Sequence, residues 1–277
     1  MILVLGHSGQ LGSTLLGLSP AARGIGRREL DLAICSREQV HDLIKAHRPE
    51  AVVNCAAYNA VDAAETDRAT AFAVNANAVG WLAEASVANG AGFVTFSTDF
   101  VFDGRGKRPY VETDPTGPLS AYGESKLAGE RLALAVDGPV LVIRTAWVAA
   151  PGHQNFITRV IDRARAGQTA QVVDDQTGSP TFAPDLARAT LEAVASGLRG
   201  LVHVVNRGQA TRYELARAAL SQAGLDPELV IPIATNQLML AAVRPAYSVL
   251  GTERRELSPL PDWQVALAAM IDRQPPL

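Results

Sequence analysis

The chain has 277 residues, 48% of them hydrophobic and 19% charged, with a formal charge of −3. No Lys/Arg block stands out, which argues against nucleic acid or an anionic membrane as partner. Cys35 and Cys55 are the only cysteines, without CxxC spacing, so neither a disulfide framework nor a zinc site is expected, and a reducing cytoplasm fits.

The length suits roughly one large domain or two of unequal size. The opening MILVLG is apolar but stops at a glycine and carries no basic leader. We therefore expect the mature chain to start at Met1, without signal peptide or membrane span. Short apolar runs at Ile2–Leu5, Ala51–Asn54, Phe93–Ser97 and Val140–Arg144 predict strands. Between them Gln39–Ala46, Asp67–Ala88 and Ser125–Ala135 carry apolar residues at helical spacing. Continuous apolar strands alternating with helices predict a parallel, doubly wound sheet of the Rossmann type, covered on both faces. From Ala149 the chain becomes Gly- and Pro-rich and less regular, with a helix expected at Pro184–Ala195, a strand at Leu201–Val205 and a helix at Tyr213–Ala223. We expect residues 1–148 to bind a dinucleotide. Residues 149–277 are expected to form a smaller substrate-binding portion, with the helix near 184–195 packing back on the first sheet.

Gly6 to Gly12 reads GHSGQLG, between the first strand and a helix. Gly6, Gly9 and Gly12 permit a tight turn, close approach of a pyrophosphate and close helix–strand packing. About twenty residues on, an NAD enzyme places a carboxylate for the ribose 2′-hydroxyl. Here Arg27 and Arg28 occupy that place, which suits a 2′-phosphate, or a solvated arginine pair. NADPH is favoured and NADH left open. Asp31 either reaches the adenine or caps the next helix. His7 touches a phosphate or, on the plainer reading, sits exposed in the loop.

The strand at Phe93–Ser97 runs into STDFVFDG, and the next helix carries AYGESK. Tyr122 and Lys126, four residues apart, share a helical face. A phenol of ordinary pKa about 10 donates poorly near neutrality unless its anion is stabilised, which Lys126 can do. Tyr122 would then protonate a ketone oxygen while Thr98 holds that oxygen. A YxxxK pair alone is commonly structural; the glycine loop, strand end and helix in this order point to catalysis. Asp103 and Asp114 sit in a polar loop that closes over the substrate or is merely solvated. No GxSxG elbow supports a hydrolase.

GHSGQLG, STDFVFDG and YGESKLAGE together resemble an extended short-chain dehydrogenase/reductase, and more narrowly the dTDP-4-dehydrorhamnose reductase family. AAYNAVDAAE, RTAWV, NF, DQTGSPT and RPAYSVL extend the resemblance along nearly the whole chain. It implies reduction of the 4-keto group of dTDP-4-dehydro-L-rhamnose with NAD(P)H. It also implies that Gly9, Gln10 and Leu11 line the cofactor loop, and that Asp31 and Leu32 meet the adenine. Ala57, Tyr58, Asn59 and Phe96 resemble nicotinamide-side contacts. Val61, Thr98, Asp99, Phe100 and Trp147 resemble the sugar-nucleotide pocket, Trp147 having a core reading as well. Family members often carry threonine in place of Asn59 and tyrosine in place of Phe100, so another deoxysugar stays open. A non-catalytic sugar-nucleotide-binding subunit is the alternative of a different class; such relatives lose the tyrosine or lysine. Ser13–Leu18 lacks the acidic residues that bridge a metal-linked dimer in some relatives, so no metal is expected.

Overall fold

The computed structural model describes residues 1–273. β1 (Ile2–Leu5) passes through the glycine loop into α1 (Gln10–Leu18), followed by β2 (Arg23–Ile25), α2 (Arg37–His47) and β3 (Ala51–Asn54). α3 (Arg68–Phe72) runs through a π-turn at Ala73–Asn77 into α4 (Ala78–Ala88), and β4 (Gly92–Thr98), α5 (Ala121–Leu134) and β5 (Val140–Thr145) complete the regular part. Next come β6 (Val148–Ala149), α6 (Phe156–Arg165), β7 (Ala170–Val173), β8 (Thr177–Gly178), β9 (Thr181–Phe182) and α7 (Ala183–Ser196). The described residues end with β10 (Gly200–His203), β11 (Ala210–Thr211), α8 (Arg212–Gln222), β12 (Val230–Ile233) and α9 (Trp263–Asp272).

Six strands form one parallel sheet in the order β2-β1-β3-β4-β5-β10. The expected fold class is thus the observed one. β1 and β3 are neighbours whose following helices leave on opposite faces, so a crevice opens where their carboxyl ends diverge. On one face Val40 and Ile44 of α2, Val79 and Leu82 of α4 and Ala133 of α5 pack against Leu3, Val52, Phe93 and Val142. On the other, Leu15 of α1 and Leu186, Ala189 and Ala193 of α7 pack against Val4, Val53, Val94 and Ile143. Alternate residues of each strand serve opposite faces, which is why the strands read as unbroken apolar runs.

A separate core joins Ile157 and Ile161 of α6, Leu215 and Ala219 of α8 and Leu267 and Met270 of α9 under β7 and β12. Sequence analysis missed α6, α9 and the short strands here. α6 has a clear apolar stripe (Phe156, Ile157, Val160, Ile161, Ala164) and an Asn155–Thr158 capping box, but the flanking Gly- and Pro-rich text obscured it. Four-residue strands such as Val230–Ile233, with a proline inside, carry too little alternation to register. The single helix expected at Asp67–Ala88 is interrupted by the π-turn, which no Pro or Gly signals. Among the described residues no helix is long and apolar enough to cross a membrane.

Candidate active site

At the end of β1, Gly6 turns with φ 71° and donates its N–H to Ile25 O at 3.0 Å. A Cβ on Gly12 would lie 2.4 Å from Gly6 O and 2.8 Å from His7 Cα, so only glycine lets α1 start this close to the loop. The N-cap of α1 is Gly9, with no side-chain cap. The free N–H groups of the first turn and the positive end of the helix dipole are therefore left for an anion.

A pocket of about 340 Å³ runs from this turn along Gly9, Arg27, Asp31, Leu32 and Ala57. Arg27 is exposed at its rim, its Nε 3.9 Å from Asp31 Oδ1, while Arg28 faces the neighbouring surface groove instead. Asp31 caps no helix: its Oδ1 accepts from Ala33 N at 3.0 Å, and α2 is capped by Ser36. His7 is not an exposed loop residue either. Its half-buried ring fills the space that Gly24 and Gly26 leave by lacking side chains.

The adjoining cleft, about 350 Å³, brings Gln10, Leu11, Asn59, Phe96, Asp99 and Trp147 around Thr98, Tyr122 and Lys126. Thr98 is the last residue of β4, and Tyr122 and Lys126 stand in the first two turns of α5. α5 comes this near because Gly123 and Gly129 lie where a Cβ would collide with Phe100 O at 2.3 Å and Asn75 O at 2.0 Å. Those contacts explain the glycines of YGESKLAGE. Tyr122 packs edge-to-face on Phe100, centroids 5.7 Å apart, and its hydroxyl reaches Asn59 Oδ1 at 3.5 Å. Burial pushes the Tyr122 phenol up to about 12, with the Thr98 hydroxyl opposing that rise and the Asp99 charge adding to it. Lys126 Nζ donates to Phe96 O at 2.6 Å. Burial brings its ammonium down to about 8, against the pull of Glu130 one turn on.

Two hydroxyls in this cleft, Ser97 Oγ and Thr145 Oγ1, are buried with no hydrogen-bond partner among the described residues. Such groups are costly unless a ligand satisfies them. Thr145 stands beside Thr98 in the β4–β5 register. Sequence reasoning named Ser97 only as a strand-end hydroxyl and missed Thr145, although a threonine closing an apolar strand was the available signal. It also missed Asn75, presented by the π-turn. Asn75 Oδ1 accepts from Tyr58 N at 2.9 Å, and its Nδ2 donates to Tyr58 O and to Ser125 Oγ of α5. An asparagine inside the apolar AFAVNANAV run was the clue.

The remaining expected residues are divided. The Gln10 carboxamide points away from the loop, donating to Val148 O at 3.3 Å and accepting from Ala150 N at 2.9 Å. The Tyr58 phenol turns to Asp67 Oδ2 at 3.2 Å, and Val61 packs beside Ala121 and Tyr122.

Trp147, with φ 49°, separates the Tyr122 cleft from a further one of about 350 Å³. Its indole occupies the space a Cβ on Gly178 would need, 2.6 Å from Trp147 Cζ2. Arg212 Cζ lies 3.6 Å from the indole centroid and 5.3 Å from that of Phe156. Arg159 and Arg244 line the same cleft. Burial and the two neighbouring guanidiniums lower Arg212 to about 10, partly offset by the Asp99 charge. Arg244 is fixed by Asp62, Nη1 to Oδ1 at 2.8 Å, which draws the Asp62 carboxyl down to about 2.

The profile of the family described as RmlD substrate binding domain matches residues 1–275. A dTDP-4-dehydrorhamnose reductase of Mycobacterium tuberculosis is 41% identical, over 98% of this chain and 92% of that protein. A dTDP-4-keto-6-deoxy-D-glucose reductase of Streptomyces niveus is 38% identical, over 96% and 94%. Among solved structures, dTDP-4-dehydrorhamnose reductase of Bacillus anthracis in complex with NADP superposes with a TM-score of 0.93 at 31% identity, covering 98% of each chain. Motif order, sheet topology and near full-length identity agree: the chain belongs to the RmlD substrate binding domain family.

Proposed function

We propose that this chain reduces the 4-keto group of dTDP-4-dehydro-L-rhamnose to dTDP-L-rhamnose, with NADPH as the preferred reductant and NADH as the alternative. The observation that carries the reading is a single cleft: the uncapped N-terminus of α1 opens into the same space as Thr98, Tyr122 and Lys126. The residues present fit a dinucleotide. The first-turn N–H groups of α1, at Gln10 and Leu11, suit a pyrophosphate, and Gly6, Gly9 and Gly12 keep side chains out of its way. Arg27 suits a 2′-phosphate, with Asp31 and Leu32 beside the adenine. Ala57, Asn59 and Phe96 border the nicotinamide end, beside the unpartnered hydroxyls of Ser97 and Thr145, whereas Tyr58 turns its phenol to Asp67 and lies outside the cleft lining.

The cofactor supplies a hydride to the ketone carbon. Tyr122 delivers a proton from Oη to the ketone oxygen. Burial by itself makes the phenol a weaker acid, contrary to the acidification expected from Lys126, so the transfer depends on stabilisation of the tyrosinate in the loaded site. Lys126 places a positive charge behind the phenol and stabilises the tyrosinate that remains. Thr98 turns its hydroxyl to the same oxygen and polarises it. Trp147 and Phe100 border the sugar, with Val61 and Asp99 beside them. The cluster of Arg159, Arg212 and Arg244 suits the diphosphate of the nucleotide, since planar guanidiniums match phosphate oxygens. Residues 1–148 serve as the cofactor-binding portion and 149–277 as the substrate portion, with α7 and the edge strand β10 returned to the first sheet. Two free cysteines suit a cytoplasmic enzyme.

A second reading keeps the chemistry and changes the sugar. Asn59 faces the Tyr122 hydroxyl and Phe100 lies against its ring, so both departures from the family pattern touch the reacting end. The Streptomyces niveus relative carries the name of a reductase for another keto sugar. Incubation with dTDP-4-dehydrorhamnose and NADPH or NADH, with the product identified by NMR, decides. Cofactor oxidation yielding dTDP-L-rhamnose supports the first reading; no oxidation with that sugar but turnover of another dTDP-4-keto-6-deoxysugar supports the second. No oxidation with either would favour a regulatory binding subunit.

A further inference from the structure

Asp99 lies next to the reacting hydroxyl, yet both of its oxygens are engaged inside the protein. Oδ1 accepts from Thr98 Oγ1 at 3.0 Å and Oδ2 from Ser248 Oγ at 2.5 Å. Asp99 and Ser248 are each only 2% exposed. Phe100 N donates to Thr98 Oγ1 at 3.2 Å, which fixes the oxygen from the other side. Ser248 sits more than a hundred residues further along the chain, in the RPAYSVL segment, and that segment is pinned independently of its side chain. Ser248 N donates to Thr177 O at 2.8 Å, Tyr247 N to Gly104 O at 3.2 Å and Leu250 N to Ser179 Oγ at 3.1 Å. The same segment carries Arg244 and Pro245 into the wall of the substrate cleft.

We propose that Ser248 is a positioning residue for the reduction: through the buried Asp99 carboxylate it sets the aim of the Thr98 hydroxyl at the ketone oxygen. The inference rests on the reductase reading above. A carboxylate with one strong donor on each oxygen has a fixed plane and shares its charge between them. Thr98 is then held in one rotamer, and its single proton, donated to Asp99 here, has to leave Asp99 to reach the ketone oxygen. Sharing the Asp99 charge with Ser248 weakens that hold. Burial pushes the Asp99 carboxyl up and the Ser248 and Thr98 hydroxyls oppose that rise, so without Ser248 the carboxylate loses one of the two donors that hold its plane and its charge beside Thr98. The charge of Arg212, on α8, also favours the ionised Asp99 carboxylate. Ser248 also lines the substrate cleft, but its hydroxyl is given to Asp99. Its removal is therefore expected to change the chemical step more than binding, and the split between kcat and the sugar KM tells the two roles apart.

The test compares Ser248→Ala and Ser248→Thr with the wild type in steady-state reduction of the keto sugar by NADPH. We expect S248A to lower kcat on the order of tenfold, the size of one hydrogen bond to a charged group, with both KM values within about twofold of wild type. S248T, which keeps the hydroxyl, restores most of kcat. An unchanged kcat in S248A overturns the inference. So does a raised sugar KM at unchanged kcat, which would make Ser248 a substrate contact. A loss of kcat that S248T shares, with a lowered Tm in both, would reduce Ser248 to packing and also overturn it. Absence of turnover in the wild type overturns the reductase reading and this inference together; wild-type turnover with an unaffected S248A overturns this inference alone.

Discussion

On the α1 side of Trp147 the cleft wall is largely backbone: a glycine turn, an uncapped helix end and the carboxyl ends of β1 and β3. Beyond Trp147 the wall is long side chains, three arginines with Trp147 and Phe156, contributed by α6, α8 and the loop before Ser248. The first cleft is shaped by what is missing, since any Cβ at Gly12 meets the backbone. The second is shaped by what is present and paired, with Arg244 on Asp62 and Arg212 on Trp147. A backbone-built cleft is rigid and intolerant of change. A side-chain-built cleft loses affinity in steps, one contact at a time.

The largest effect is therefore expected on the backbone side. Gly12→Ala places a methyl 2.4 Å from Gly6 O, and neither the loop nor α1 can yield without losing the turn. Overpacking of this kind costs roughly 3 kcal/mol, seen as a fall in Tm of several degrees together with weakened NADPH binding in a fluorescence titration. Normal NADPH affinity in Gly12→Ala would show that the wall can move.

How much of each cleft was legible follows from the same contrast. GHSGQLG, Thr98, Tyr122 and Lys126 lie on continuous elements with plain strand or helix periodicity, so sequence placed them on the correct strand end and helix. Arg212 and Arg159 were not visible, because nothing in TRYEL or ITRVI tells that α8 and α6 fold onto Trp147. Asn75 and Ser248 were hidden for a related reason: one is turned inward by a π-turn without a breaker, the other is brought to Asp99 by a segment of little regular structure. Gln10 shows the converse. Its place in the loop was evident, but the direction of its side chain, towards Val148 and Ala150, depends on β6 and could not be read locally.

On the side-chain face a smaller, cleaner separation is expected. Arg212→Gln removes the guanidinium stacked on Trp147 while keeping part of its length. The KM for the dTDP-sugar should rise about 30-fold, the equivalent of about 2 kcal/mol for a charge-assisted contact, with the KM for NADPH unchanged. Equal rises in both would mean that the arginine supports the fold and not the diphosphate. The smallest effect belongs to Asp62→Asn. Its pair with Arg244 is partly solvated, so the loss is worth about 1 kcal/mol and the sugar KM rises roughly fivefold. A Kd for dTDP measured by calorimetry should follow the same ratio; no change would show that Arg244 keeps its place without the carboxylate.

Both clefts matter only if they serve one reacting oxygen at Tyr122. The direct measurement is Tyr122→Phe, assayed for single-turnover oxidation of bound NADPH by the keto sugar and, separately, for NADPH binding. With the phenol as proton donor, the rate falls by two orders of magnitude or more, in the range general-acid catalysis supplies (about 100-fold to 10,000-fold), while NADPH affinity stays within about twofold. A Tyr122→Phe protein that oxidises NADPH at the wild-type rate would contradict the account.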